Sequence, residues 1–167
     1  KRTCHDAAIH VPLIVGGGAT KSKTVIYDLT SLIDIPPTLF SIANIPIPDK
    51  FSGQTLIPYL KGIENLDRRE SVFIQISESQ VGRAIRTKDW CYCVASLDKN
   101  GWDNMDSDTY TDKYLYDLQA DPFQLTNLVS DPKYNKVKMK LRKHLIKEII
   151  KYERYRPSIN EARMSQD

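Results

Sequence analysis

Three side chains able to do chemistry stand close together at the start of this 167-residue chain: Lys1, His5 and Asp6. They supply a cation, an imidazole and a carboxylate just ahead of the apolar run at residues 11–15. Loops at the ends of sheet strands are where ligand-binding groups collect, so this segment is a candidate for binding an anionic substrate. A charged leader that is merely solvated explains the same residues, and composition does not choose between the two.

A second candidate is the glycine-rich turn at residues 16–18, which is followed by Lys21 and Ser22 as in a phosphate-binding loop. That loop needs a glycine directly before the lysine and another five residues earlier, so that backbone amides surround the phosphates. Thr20 and Val15 occupy those two positions. The sequence therefore predicts a turn that leaves a strand and not a nucleotide site.

Positive charge is concentrated between residues 133 and 156, a segment that contains ten basic residues and only two acidic ones, Glu148 and Glu153. The formal net charge of the whole chain is only +3, and neither an aromatic stripe nor a nucleic-acid recognition motif accompanies the basic segment. Nucleic acid is therefore not the predicted partner. The segment leaves one alternative function open: a stand-alone anion-binding or protein-interaction module that uses a basic C-terminal helix.

The three cysteines, Cys4, Cys91 and Cys93, cannot all form disulfides, and the last two would point the same way from one strand. No histidine joins them at metal-ligand spacing, so we interpret them as structural thiols and predict no metal site in this chain. Free thiols favour a reducing, cytoplasmic compartment, although the chain carries no targeting signal and its localisation is otherwise unknown. No apolar run approaches the roughly 20 residues of a membrane span, and no membrane partner is predicted.

The pattern of apolar residues predicts a mixed α/β chain with a real core. Residues 11–15 predict a strand buried on both faces of a mainly parallel sheet, and residues 31–43 predict a helix. Further on, four β-rich runs predict an antiparallel sheet, and an apolar stripe at four-residue spacing predicts a long final helix. The runs are residues 72–76, 82–87, 90–94 and 114–118, and the stripe is Val137, Leu141, Leu145 and Ile149.

A charged connector at residues 61–70 sets the predicted domain boundary. The expected divisions are residues 1–66, residues 67–156 and a loose polar tail at residues 157–167. Because the chain begins with Lys1 and the strand at residues 11–15 needs a sheet to join, we expect a C-terminal portion of a longer protein. We also expect either self-association through the unsatisfied N-terminal segment, at residues 9–45, or disorder there while residues 70–155 remain folded.

Five blocks, in order, resemble the sulfatases of the alkaline phosphatase superfamily. Residues 31–39 look like the family helix with its Asp-x-x-Pro-Thr-Leu signature, and residues 83–92 resemble its Arg-x-Ile-Arg-Thr hairpin. In the first block Lys1, Asp6 and Pro12 fall on the family pattern, whereas His5 replaces an aromatic residue and His10 an arginine. The blocks are residues 1–12, 31–39, 51–58, 83–92 and 114–128.

The resemblance implies the C-terminal portion of an alkaline phosphatase-like α/β fold: the last strand and helix of the large domain, then a four-stranded antiparallel sheet with a long helix. It also implies a parent sulfuric ester hydrolase that uses a formylglycine and calcium. Cys4 is not in a formylglycine motif, so we expect no catalytic and no metal-binding residue in this chain, and no activity from it alone.

The same resemblance places Lys1 at a family position that binds a sulfate oxygen. The expected partner of the parent is a sulfated small molecule or a sulfated glycan. Its organic part is expected near the C-terminal sheet, where His5, Gln80 and Trp102 are candidate contacts. A solvated hairpin turn explains the loops of Gln80 and Trp102 equally well.

Overall fold

The computed structural model describes residues 3–18, 20, 25–63 and 68–162, and the chain divides into two compact units. One unit is residues 12–72, and the other joins the N-terminal segment up to Val11 to everything from Phe73 onward. The sequence pattern placed all of residues 1–66 together. The first residues belong instead with the C-terminal unit, because Cys4 is buried in its sheet and Asp6 is bonded to it.

Helices and strands do not alternate along the chain: the first four strands follow one another without a helix between them. The helices within the described residues are α1 (Asp6–Ile9), α2 (Ile35–Ile42), α3 (Ile57–Leu60) and α4 (Asn135–Glu153). The strands are β1 (Ser71–Ile76), β2 (Gly82–Thr87), β3 (Trp90–Ala95), β4 (Thr109–Asp117) and β5 (Ser158–Asn160). Of the helices in the described part of the chain, none is long and apolar enough to span a bilayer.

The helix predicted at residues 31–43 is confirmed, with a 3-10 turn at Leu32–Asp34 leading into α2. Asp34 explains the family signature, because its buried carboxylate accepts hydrogen bonds from the Ser31 and Gln54 amides, both at 2.8 Å. Arg69 Nη2 donates to the same carboxylate at 2.5 Å. The signature aspartate therefore fastens the start of the helix to two later segments of its own unit.

The predicted buried strand at residues 11–15 is wrong: this stretch has no strand structure, and Ile14 is 94% exposed. A strand requires a neighbour that pairs with its backbone, and none of the described strands lies alongside it. Its apolar side chains line an open groove together with Val25, Ile26 and Leu56. Self-association through residues 9–45 stays a prediction.

The four predicted strands are confirmed as β1 to β4, and the sheet has one strand more, in the order β1-β2-β3-β4-β5. β3 pairs antiparallel with β2 and β4, whereas β5 pairs parallel with β4. The extra strand corrects the expectation of a loose tail after residue 157. Pro157 is buried and the Ser158 amide donates to the Asp108 carbonyl at 2.8 Å, which brings the chain back beside β4.

The two faces of the sheet carry different residues. α4 packs on one face through Leu141, Leu145 and Ile149, which confirms the predicted stripe, and meets Ile85 and Leu115 there. The opposite face is smaller and consists of the buried residues Cys4, Ile76, Ala84, Cys91, Cys93, Tyr116 and Leu118. This second face, free of α4, receives the N-terminal segment.

Candidate functional site

Cys4 is the anchor of the N-terminal segment on the sheet. Its side chain is fully buried, and the Cys91 thiol donates to the Cys4 carbonyl oxygen at 3.5 Å. Hydrogen bonds from the Cys91 and then the Cys93 thiol lower the pKa of Cys4, and the same contacts, with burial, raise the pKa values of the two donors. The three thiols are thus a packed cluster, as the interpretation of structural thiols required.

His5 is held between polar and aromatic neighbours. Its Nδ1 lies 2.7 Å from Thr3 Oγ1 and its Nε2 lies 2.9 Å from the Tyr116 hydroxyl. The imidazole also contacts the rings of Tyr114 and Tyr116, with centroids 5.0 and 5.2 Å away. Burial raises the pKa of Tyr116 to about 12, so its hydroxyl stays protonated at neutral pH and keeps this contact.

Asp6 forms the charged part of the same attachment. Its carboxylate accepts hydrogen bonds from Arg86 Nη2 at 2.8 Å and from Arg86 Nε at 3.4 Å. The Asp6 amide donates to Gln124 Oε1 at 2.6 Å. Arg86 belongs to the Arg-x-Ile-Arg-Thr block and Gln124 to the last block, so three of the sequence blocks meet at this point.

Gln80 is connected to this region through Lys113. The Gln80 side-chain oxygen accepts a hydrogen bond from the Lys113 ammonium group, which lies 5.5 Å from the centroid of the Tyr114 ring. Tyr114 in turn contacts His5. The structure therefore brings two sequence-predicted residues, His5 and Gln80, to the two ends of one cluster.

Trp102 lies on the loop next to Gln80 and is 70% exposed. The two loops meet backbone to backbone, because the Glu78 amide donates to the Gly101 carbonyl at 3.0 Å. A Cβ on Gly101 would stand 2.7 Å from the Glu78 carbonyl oxygen and 2.8 Å from the Gln80 amide nitrogen. A glycine is thus required there, and it holds the Trp102 loop against the Gln80 loop.

Lys1 lies outside the described residues. Lys113, which the sequence interpretation missed, is the residue that joins the two candidates. No local signal in the sequence marks Lys113, because the irregularity that sets it apart lies in the strand pairing. The sheet shows the cause, because Cys93 pairs with Tyr114 and Val94 with Asp112, which leaves Lys113 as an inserted residue.

No group of three or more His, Cys, Asp or Glu residues in the described part of the chain is placed to hold a metal ion. The side chains of this cluster are instead suited to binding an anion or a sugar through an ammonium group, an amide and aromatic rings.

Comparison with known proteins gives a consistent result. The family model described as N-sulphoglucosamine sulphohydrolase, C-terminal, matches residues 1–151. Arylsulfatase K of Rattus norvegicus is 29% identical over 140 residues, which are 78% of this chain and 23% of that protein.

Two solved structures share the architecture. A 2-O GAG sulfatase superposes with a TM-score of 0.66 at 27% identity, covering 86% of this chain and 31% of that one. The phosphonate monoester hydrolase of Agrobacterium radiobacter gives a TM-score of 0.58 at 25% identity, covering 73% and 25%. The chain thus spans less than a third of the length of each of these relatives.

Proposed function

The chain belongs to the N-sulphoglucosamine sulphohydrolase C-terminal family, and from this premise we propose that it is the part of a sulfatase that holds one wall of the substrate site. One observation carries the proposal. The segment that follows Lys1 is fastened to the sheet by three consecutive residues, through a buried thiol, an imidazole and a carboxylate. Such a segment is held in one place, as a segment with a binding role must be.

In this proposal Lys1 binds a sulfate oxygen and offsets the charge that develops on the leaving group. Lys1 stands only four positions before His5. The bonds of His5 and Asp6 to Tyr116 and Arg86 hold the residues that follow Lys1 on the sheet. His5, Gln80 and Trp102 are proposed to face the organic part of a sulfated small molecule or glycan.

In the sulfatases that the sequence resembles, a formylglycine supplies the nucleophile and a calcium ion supplies charge stabilisation. The described residues of this chain do not fit either group, because they include no metal-ligand set and Cys4 stands outside the formylglycine motif. Both groups are proposed for a part of the parent enzyme other than this sequence.

The first prediction concerns the chain by itself: we expect no hydrolysis of 4-nitrophenyl sulfate, with or without added calcium. A lysine without a nucleophile cannot supply the 8 kcal/mol or more, roughly, that enzymes remove from such barriers. The measurement is release of 4-nitrophenol by the homogeneous chain and by the whole parent enzyme. A phenyl phosphonate monoester serves as the contrasting substrate.

Three outcomes separate the candidate functions. Hydrolysis of the sulfate by the parent and not by the chain supports the proposal. Turnover by the chain alone contradicts it, and a parent that cleaves only the phosphonate replaces sulfate by phosphonate as the substrate.

A module that binds anions through α4 is the second candidate function. Five lysines of this helix are exposed, which favours this function: Lys136, Lys140, Lys143, Lys147 and Lys151. Their replacement would abolish binding of sulfated polymers in that case, but would leave hydrolysis by a parent sulfatase unchanged.

The second prediction tests the attachment of the N-terminal segment. We expect Asp6→Asn to make the amides of residues 4–9 exchange about 10 to 100 times faster, since hydrogen bonds to charged groups contribute about 1.5–3 kcal/mol. Hydrogen exchange with mass spectrometry measures this, and α4 should not change. Asp49→Asn, at an exposed aspartate, is the matched control. Equal exchange in both variants would remove the argument that Arg86 holds this segment.

A further inference from the structure

We propose that Lys113 is a binding subsite for a second anionic group, a sulfate or a carboxylate, on the sugar part of the substrate. This inference rests on the proposed function, because it assigns the substrate of that site to carbohydrates with more than one negative charge. The observation behind it is that Lys113 differs from the other partly buried lysines and arginines in its partners.

Among the residues that the structure describes, six lysines and arginines are at least partly buried, and Lys113 is the one without a carboxylate partner. Burying a cation is costly unless a negative group accompanies it, which is why the others are paired. The pairs are Arg69 with Asp34, Arg83 with Glu153, Arg86 with Asp6, and both Lys138 and Arg142 with Asp112.

The two contacts of Lys113 attract its charge without neutralising it. Gln80 offers one amide oxygen, and the Tyr114 ring offers the negative face of its π-system at 5.5 Å. An ammonium group has three donors, so the site can still donate to an anion. The neutral partners hold the ammonium in position and leave its charge available.

The backbone of β4 is irregular at Lys113. This lysine is the inserted residue of the bulge in β4, and bulges re-aim a side chain next to functional sites. The re-aimed ammonium lies over Tyr114, whose ring contacts His5 in the fastened N-terminal segment. The second anion site is therefore on the face of the sheet that holds the segment following Lys1.

The chemistry of the site selects the ligand class. A compact ammonium group binds a sulfate or a carboxylate as a point charge, and the neighbouring amide can donate to a sugar hydroxyl through its nitrogen. We assign a sugar with two anionic groups, of which one is bound in the proposed manner at Lys1 and the other at Lys113.

The test is an NMR titration of the isotopically labelled chain with D-glucosamine 2-N,6-O-disulfate. Separate arms use D-glucosamine 6-sulfate and glucuronate, which report whether the second anion is a sulfate or a carboxylate. We expect shifts at Gln80, Lys113 and Tyr114, and about three- to tenfold weaker binding of the disulfate to Lys113→Gln. Lys140→Gln, the same charge change on the exposed face of α4, should bind like the unaltered chain.

Lys113→Arg keeps the charge and should retain the preference for the disulfate, which separates the loss of a cation from a damaged fold. Equal affinity of Lys113→Gln and Lys140→Gln, or shifts confined to α4, would overturn the inference. The titration does not depend on hydrolysis. A parent enzyme without sulfatase activity would therefore refute the proposed function, while the titration alone decides the role of Lys113.

Discussion

Asp112→Asn is expected to lower the free energy of unfolding by about 3–5 kcal/mol, as breaking a buried ion pair does. The Asp112 side chain is fully buried and accepts from Arg142 Nη2 and from the Tyr92 hydroxyl, both at 2.5 Å. Lys138 Nζ lies 3.6 Å away. An amide of the same size leaves both cations on the inner side of α4 without the negative partner that they share among the described residues.

Tyr92 makes the expected loss specific to the carboxylate. Burial and the neighbouring Asp112 raise the pKa of Tyr92, so it remains a hydrogen-bond donor throughout the neutral range. Tyr92 and Arg142 donate to different oxygens of Asp112, and asparagine keeps only one acceptor oxygen, so one of the two donors loses its acceptor. Urea unfolding of Asp112→Asn, compared with Asp106→Asn at an exposed position, measures the difference. Equal midpoints for the two variants would show that the network adds no stability.

Leu141→Ala is expected to lower the free energy of unfolding by about 2–5 kcal/mol, the range for a leucine truncated to alanine in a packed core. Leu141 is 5% exposed and belongs to the cluster that joins α4 to the sheet. Lys140, its neighbour in the sequence, is exposed, so Lys140→Ala should change the stability by about 0.5 kcal/mol or less.

The pair of substitutions tests the orientation of the helix and not only its existence. Side chains at adjacent helical positions point about 100° apart. If Leu141 faces the sheet and Lys140 faces solvent, the two substitutions lower the free energy of unfolding by very different amounts. Urea unfolding measures both variants under identical conditions. Similar costs would contradict the packing of α4 described above.

Both variants bear on the site through the sheet. α4 covers one face of β2, β3 and β4, and Cys4, His5 and Asp6 occupy the other. A strand exposes alternate side chains on its two faces, so Tyr92 faces α4 while Cys91 and Cys93 face the N-terminal segment. The helix thus fixes the sheet on which the candidate site is built.

The amino-acid sequence alone determined the features that repeat over short distances. Apolar residues at four-residue spacing located the face of α4, and β-rich runs located β1 to β4. The order of the five blocks along the chain pointed to the family. These signals are local, because helix and strand periodicity is complete within ten to twenty neighbouring residues, roughly.

Only the tertiary structure decided which distant residues meet. Asp6 lies 80 positions from Arg86, and His5 lies 111 from Tyr116. No local pattern records such pairs, and the bulge at Lys113 exists only in the pairing of β4 with β3. The strand expected at residues 11–15 was wrong for the same reason: its apolar sequence is suited to a sheet, but a strand forms only where a neighbour offers its backbone.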